Sequence, residues 1–254
     1  MTDDDARDGG ANSVLGKARL ILEAFELDDD SLTLTEIVAR TGISKATVHR
    51  LNQELLEWGM LERIGLEYRL GMRAFELGSR VPRFRVLRDA VRPYMESLHH
   101  QTREAVHLAV RDGLEVLYLE KVAGAPQSAR PSRIAGRLPL HSTATGKVLL
   151  AFGQPALVEE VMGGGPLQRV TPTTIVLPGV LLDQLRRVRA DGYATEIEET
   201  TAGYGSVAVP IFGASGMLLA SLSLTTPVVR SDVARHAALL RSVSQKVAAG
   251  HAIN

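Results

Sequence analysis

Cysteine is absent from the 254 residues, which excludes disulfides, thiolate-bound zinc and a cysteine nucleophile. Long apolar runs are missing too, since no stretch approaches the ~18 residues needed to cross a bilayer. The first dozen residues, Met1 to Asn12, are acidic and hold no apolar core. A disordered tail is therefore expected there rather than a secretory signal, and a cytoplasmic location follows as the default. Net charge is lacking as well, with 29 Lys/Arg set against 29 Asp/Glu. Nucleic-acid binders are ordinarily basic, so any such role has to come from local charge. What is present is a globular composition, 45% hydrophobic and 23% charged, on a chain long enough for two ordinary domains.

The charges are unevenly placed. Residues 13–80 hold slightly more acid than base, yet no acid occurs between Glu36 and Glu54, a window that contains Arg40, Lys45, His49 and Arg50. A second basic cluster, Arg80, Arg83, Arg85, Arg88 and Arg92, is opposed only by Asp89. Fields beyond a Debye length of about 8–10 Å are screened, so such clusters matter more than the total.

Val14 to Glu26 has apolar residues at helical spacing and predicts a first helix. After the polar stop Asp28 to Ser31, Thr33 and Glu36 have the spacing of a capping box, opening a short helix to Thr41 that Gly42 closes. Ser44 can cap a third helix from Ala46 to Trp58. Two helices joined by so tight a turn form a helix-turn-helix. On the third helix Val48, Leu51 and Leu55 fall within about 60° of one another and make the buried stripe. The opposite face carries Ala46, Arg50, Gln53 and Glu57, flanked by Thr47 and His49. Ser44, Lys45, Ala46, Thr47, His49, Arg50 and Gln53 are thus the expected DNA contacts, because the first turns of a recognition helix read base edges and phosphates. Met60 to Arg63 and Tyr68 to Leu70, around Ile64 to Glu67, predict a two-stranded wing with Arg63 and Arg69 facing the backbone or minor groove. A small three-helix packing domain without DNA contact is the bland alternative.

The run from Leu34 to Gly78 resembles the DNA-binding region of the IclR family of regulators, and the likeness continues over nearly all of residues 13–250. Its downstream motifs are Gly136 to Lys147 (GRLPLHSTATGK), Arg169-Val170-Thr171 with Thr174-Ile175, Gly192-Tyr193-Ala194, Glu198-Glu199 and Gly203 to Pro210. The resemblance implies an α+β chain. Its parts would be a tail (1–12), a winged helix-turn-helix domain (13–71), a linker helix (72–82) and an effector-binding and oligomerisation domain (83–254). The last would be related to GAF and profilin-like folds, an antiparallel sheet flanked by helices. Pattern agrees: Asp112-Gly113 separates strands at Ala105 to Arg111 and Leu114 to Val122. Further strands are expected at Gly192 to Ala194, Ser206 to Phe212 and Met217 to Leu224. Helices are expected at Met72 to Gln101, broken at Val81-Pro82, and at Thr145 to Phe152, Leu181 to Ala190 and Asp232 to Ala249. The arginines after Pro82 could steer toward DNA, pair with acids, or form a solvated face.

Carried over by position, the resemblance points to Arg130, Leu138, Ala144, Thr145, Glu196, Tyr204 and Ser206 as the effector pocket. The residues themselves suit a small organic acid, aromatic ones included. Ser142 to Thr145 open a helix whose first N–H groups favour an anion, Arg130 offers a fork for a carboxylate, and Tyr204 offers a ring and a hydroxyl. A routine helix cap with a surface arginine is the bland reading. Many relatives carry Cys where this chain has Ser206. Partners implied are a pseudo-palindromic operator duplex and further copies of the chain, as homodimer or dimer of dimers, because one recognition helix buries too little for regulatory affinity. Neither a cofactor, a metal nor a membrane is expected.

Two rivals differ in class. Catalysis finds little support, since Gly146-Lys147 lacks the flanking residues of a phosphate loop and Gly203 to Ser206 lacks the closing glycine of a nucleophile elbow. The histidines His99, His100 and His107 have no carboxylate at metal-binding spacing. A regulator whose C-terminal domain only oligomerises or binds protein is the other.

Overall fold

The computed structural model describes residues 12–26, 28–124 and 134–249. The expected tail lies, except for its last residue, outside that set. The chain divides into two compact units, Met1–Pro82 and Arg83–Asn254. No helix among the described residues is long and apolar enough to cross a membrane.

In the first unit α1 (Val14–Glu23) starts on Ser13, whose hydroxyl accepts the Gly16 N–H. It ends three residues short of the predicted Glu26. Arg40 donates to the Ala24 carbonyl at 2.8 Å, and Asp29 accepts the Glu26 N–H at 2.8 Å, so side chains capture the backbone groups that another turn would use. Arg40 also forks onto Asp29, which removes it from the free cations of the acid-poor window.

Strand β1 (Leu32–Thr33) leads into α2 (Leu34–Thr41), where both halves of the Thr33/Glu36 capping box form. Gly42 closes the helix at φ +69°, and α3 (Lys45–Trp58) begins on Ser44. Val48, Leu51 and Leu55 pack with Ile21, Leu32, Ile37, Leu61 and Tyr68 in one core. Asn52 is buried on the same helix, a polar core residue the pattern did not reveal. The wing is tighter than predicted. Its strands β2 (Leu61–Ile64) and β3 (Glu67–Leu70) pair as far as Ile64 with Glu67, because Gly65 at φ +61° allows a two-residue turn. The sheet order is β1-β3-β2, antiparallel throughout. Helix α4 (Met72–Ser79) follows.

The second unit has three layers. Helix α5 (Pro82–Thr102) begins at the expected break. Six strands follow: β4 (Ala105–Asp112), β5 (Glu115–Val122), β6 (Arg137–Pro139), β7 (Ala194–Ile197), β8 (Tyr204–Phe212) and β9 (Leu218–Pro227). They lie in the order β6-β5-β4-β9-β8-β7, every pair antiparallel. Alternation of side chains sorts the faces. Val207, Val209 and Ile211 with Leu222 and Leu224 meet α5 and α9 (Val233–Ala249). The other face meets α6 (Ala144–Phe152), α7 (Pro155–Gly163) and α8 (Pro178–Asp191).

Four predicted boundaries in this unit are corrected. The strand expected at Gly192 starts at Ala194, because Gly192 is spent at φ +74° closing α8. Strand β8 starts at Tyr204 rather than Ser206, and β9 runs on to Pro227, since Gly205 and Ser206 pair with Thr226 and Thr225. Helix α6 starts at Ala144, capped by Thr143 rather than by the residues before it.

Candidate functional site

Each unit carries a candidate site among its described residues. On α3, Ser44, Lys45, Ala46, His49 and Arg50 are exposed, and Thr47 and Gln53 are half-buried on the same side. All lie away from the Val48–Leu51–Leu55 stripe. Arg50 reaches Glu54 one turn on, Nη1 to Oε1 at 2.5 Å, with both side chains more than half exposed. An exposed pair of this kind is worth a few tenths of a kcal/mol, so a phosphate or guanine edge can replace it readily.

The two wing arginines differ. Arg63 donates to the Gly65 carbonyl at 3.0 Å, lies 5.8 Å from the Tyr68 ring centre, and has no acidic partner among the described residues. Arg69 forks onto Glu62 at 2.9 and 2.6 Å, and Glu62 also accepts the Met72 N–H. The hydrogen bonds from Arg69 hold the Glu62 carboxyl below its usual range. Glu62 therefore ties the wing to the start of α4, and Arg69 is held against Glu62 in this structure. The arginine cluster beyond Pro82 is partly committed too. Arg88 and Arg92 lie 3.3 and 3.5 Å from Glu120, whose side chain is buried, and Arg92 also pairs with Glu96. Ion pairing across α5 and β5 engages those two; the Arg83 side chain lies outside the described residues.

In the second unit a small cleft, with a cavity volume of about 30 Å³, opens between the start of α6 and the β7–β8 end of the sheet. Leu138, Ala144, Thr145, Glu196, Tyr204 and Ser206 all line it. Arg130 lies outside the described residues. Thr143, from the expected helix start, lines it too, and the remaining lining was not anticipated: Tyr118, Thr200, Thr201, Ser223 and Thr225. A signal was available, because Ser221, Ser223 and Thr225 alternate with Leu222 and Leu224 in a strand buried on both faces. Polar side chains on one face of such a strand ask for partners.

The cleft is dense in hydroxyls and holds one buried carboxylate. Thr143 caps α6 by accepting the Gly146 N–H at 2.9 Å, leaving the Ala144 and Thr145 amides without intrahelical acceptors. Tyr118 and Thr145 hydroxyls are 3.3 Å apart, and burial pushes the Tyr118 phenol up to about 12. The Ser206 hydroxyl donates to Glu196 Oε1 at 2.7 Å and lies 2.9 Å from Thr225 Oγ1. Glu196 Oε2 accepts the Glu199 N–H at 3.0 Å. Burial pushes the Glu196 carboxyl up to about 7 against those two hydrogen bonds.

Beneath the cleft Lys147, fully buried, pairs with Glu199, which also accepts the Ile175 N–H. The Gly146-Lys147 and Glu198-Glu199 motifs are thus scaffold. Thr171 and Thr173 hydroxyls donate to the Glu198 carbonyl at 2.6 and 2.8 Å, and Thr174 donates to that of Glu199 at 2.8 Å. These bonds hold the turn on which Thr200 and Thr201 sit. The histidines have structural contacts: His99 Nδ1 lies 2.7 Å from the Glu104 carbonyl and the His107 ring meets Tyr118 edge-on. No group of three potential metal ligands occurs among the described residues.

A helix-turn-helix with an exposed, acid-poor second helix, followed by a sheet domain with this cleft, matches two family models. Residues 14–65 match the IclR helix-turn-helix domain and residues 83–249 the Bacterial transcriptional regulator IclR C-terminal domain. The chain belongs to the IclR family of bacterial transcriptional regulators. Among IclR relatives, XynR of Escherichia coli is 33% identical over 231 residues, covering 90% of this chain and 92% of XynR. KdgR of the same organism is 33% identical over 250 residues, 96% of this chain and 94% of KdgR. Among solved structures, an IclR homolog from Microbacterium hydrocarbonoxydans complexed with 4-hydroxybenzoate superposes with a TM-score of 0.88 at 33% identity, covering 94% of this chain and 99% of that one. The Thermotoga maritima IclR gives 0.77 at 29% identity over 94% and 98% of the two chains.

Proposed function

We propose that the chain is an operator-binding repressor whose hold on DNA is set by a small organic acid, aromatic ones included, seated in the cleft between α6 and β7–β8. The DNA contacts are Ser44, Lys45, Ala46, Thr47, His49, Arg50 and Gln53 of the helix-turn-helix, with Arg63 on the wing. Arg69 joins them only if it leaves Glu62. Arg130, Leu138, Ala144, Thr145, Glu196, Tyr204 and Ser206 form the effector site. The observation that carries this reading is the cleft itself, with two uncapped helix-start amides and a ring of hydroxyls around a half-buried tyrosine. The complex of a 33%-identical homolog with 4-hydroxybenzoate supports the class of ligand. The name of a 28%-identical relative, Transcriptional repressor IclR of Escherichia coli, supports repression.

A thermal-shift screen of aromatic and short aliphatic acids tests the effector reading. A true effector at 100 times its Kd adds about 2.7 kcal/mol to the stability of the folded chain. A screen with no shift favours the rival in which the C-terminal domain only assembles copies. Turnover of any of these acids would favour an enzyme.

A further inference from the structure

We propose that the cleft takes up its organic acid together with one proton, carried by Glu196, so that effector affinity falls as pH rises. The inference rests on the effector site proposed above and adds to it a pH-linked specificity residue.

The argument is one of charge in a small space. Among the described residues, the ionisable groups around Glu196 are Lys147, Glu199, Tyr118 and Tyr204. Lys147 of α6 lies below it but is already neutralised by Glu199. Tyr118 of β5 is fully buried, its phenol held neutral by burial, with the His107 ring of β4 behind it. Tyr204 stands on β8, and β9 contributes only the hydroxyls Ser223 and Thr225. The described residues that line the cleft include neither Lys nor Arg. Among the described lining residues, an ionised Glu196 therefore has no cation of its own beside it. A carboxylate entering the same cavity would meet a like charge where little water screens it.

Protonation removes that repulsion and does more. It turns an acceptor into an O–H donor, and a charge-assisted hydrogen bond from a carboxylic acid to a carboxylate is among the stronger kinds. The local geometry tolerates both states. Glu196 Oε2 keeps the Glu199 N–H in either form, and the Ser206 hydroxyl, 2.9 Å from Thr225 Oγ1, can turn to Thr225 when Oε1 is protonated. Burial already holds the carboxyl at about 7, so the proton is available near neutrality.

Titration calorimetry of the full chain tests this, with 4-hydroxybenzoate, benzoate and pyruvate as probes, in phosphate and in Tris buffer at pH 6 and pH 8. The expected result is uptake of close to one proton per acid bound at pH 8 and much less at pH 6. The Kd should weaken by up to about tenfold per pH unit above ~7. The neutral 4-hydroxybenzamide should bind without uptake. Glu196→Gln should abolish both the uptake and the pH dependence. Ser206→Ala, which removes a hydrogen bond favouring the carboxylate, should move the onset of uptake to higher pH, and it serves if the first variant does not fold. Binding of an acid at pH 8 with no proton uptake and an unchanged Kd would overturn the proposal and leave the effector site standing. No binding by any of the three acids at either pH would remove both.

Discussion

Lys147 shows how one residue can be conspicuous in the sequence for the wrong reason. Beside Gly146 at a helix start it invites a phosphate-loop reading, yet it is fully buried and paired to Glu199. Burial lowers its affinity for a proton while the Glu199 carboxylate opposes that shift. Removing one partner of a buried pair leaves the other charge uncompensated. Lys147→Met should therefore destabilise the C-terminal unit by about 3–5 kcal/mol, and adding Glu199→Gln should restore much of it. Urea denaturation of both variants checks this, and a small effect of the single change would mean the pair is not buried in solution. Glu196 has the opposite signature. Its folded-state pKa of about 7 lies above the unfolded 4.5, so the folded state binds more protons between those values and loses stability as pH rises through them. Glu196→Gln should stabilise the unit by on the order of 2–3 kcal/mol at pH 8 and hardly at all at pH 4.5. Denaturation midpoints at the two pH values decide it, and a pH-independent difference would contradict the burial argument.

At the scale of elements, the legible features were those set by three or four neighbouring residues. The capping box at Thr33 and Glu36, the Gly42 exit and the Ser44 cap are local hydrogen-bond arrangements, and each forms as the residue types require. The Val48–Leu51–Leu55 stripe was legible because helical spacing alone defines it. What stayed hidden depends on distant partners. Strands β1 and β6 have two and three residues and exist through pairing with β3 and β5. The extension of β9 to Pro227 follows from the length of β8. Helix α7 has half-buried apolar residues on one flank and a glycine-rich exit, too weak a pattern to stand out. The cleft was half visible for the same reason. Residues near the α6 start and the Glu198-Glu199 turn carried motifs, whereas Tyr118, Ser223 and Thr225 arrive by sheet register. Gly146 is a motif residue with an element-scale cause. A Cβ there would sit 2.1 Å from the Leu140 carbonyl oxygen, so only glycine lets α6 approach the preceding backbone. Gly146→Ala should cost at least ~2 kcal/mol and weaken effector binding together with stability. A thermal melt and an acid titration on that variant would show it, and wild-type values in both would refute the close approach.

For the molecule as a whole, neutrality conceals a division of labour. The DNA-facing helix keeps acid away from its first turns although its unit is not basic, so attraction to phosphate is local and salt-sensitive. The cleft proposed for the effector lies in the other unit. Coupling between the two therefore requires the acid to bind one conformation or assembly better than another, and its effect on operator affinity can be no larger than that difference. Two recognition helices in a homodimer, or in a dimer of dimers, would read half-sites one or more helical turns apart, about 10–10.5 base pairs per turn.

The most direct test begins with operators selected from genomic fragments by the full chain. Binding is then titrated by fluorescence anisotropy at fixed salt with the wild type and Arg50→Ala. The account predicts a footprint of two half-sites and a loss of about 5- to 150-fold for the variant, with relaxed choice at one base per half-site. Equal affinity and an unchanged footprint would contradict it, for then the exposed face of Lys45–Trp58 is not what meets the duplex.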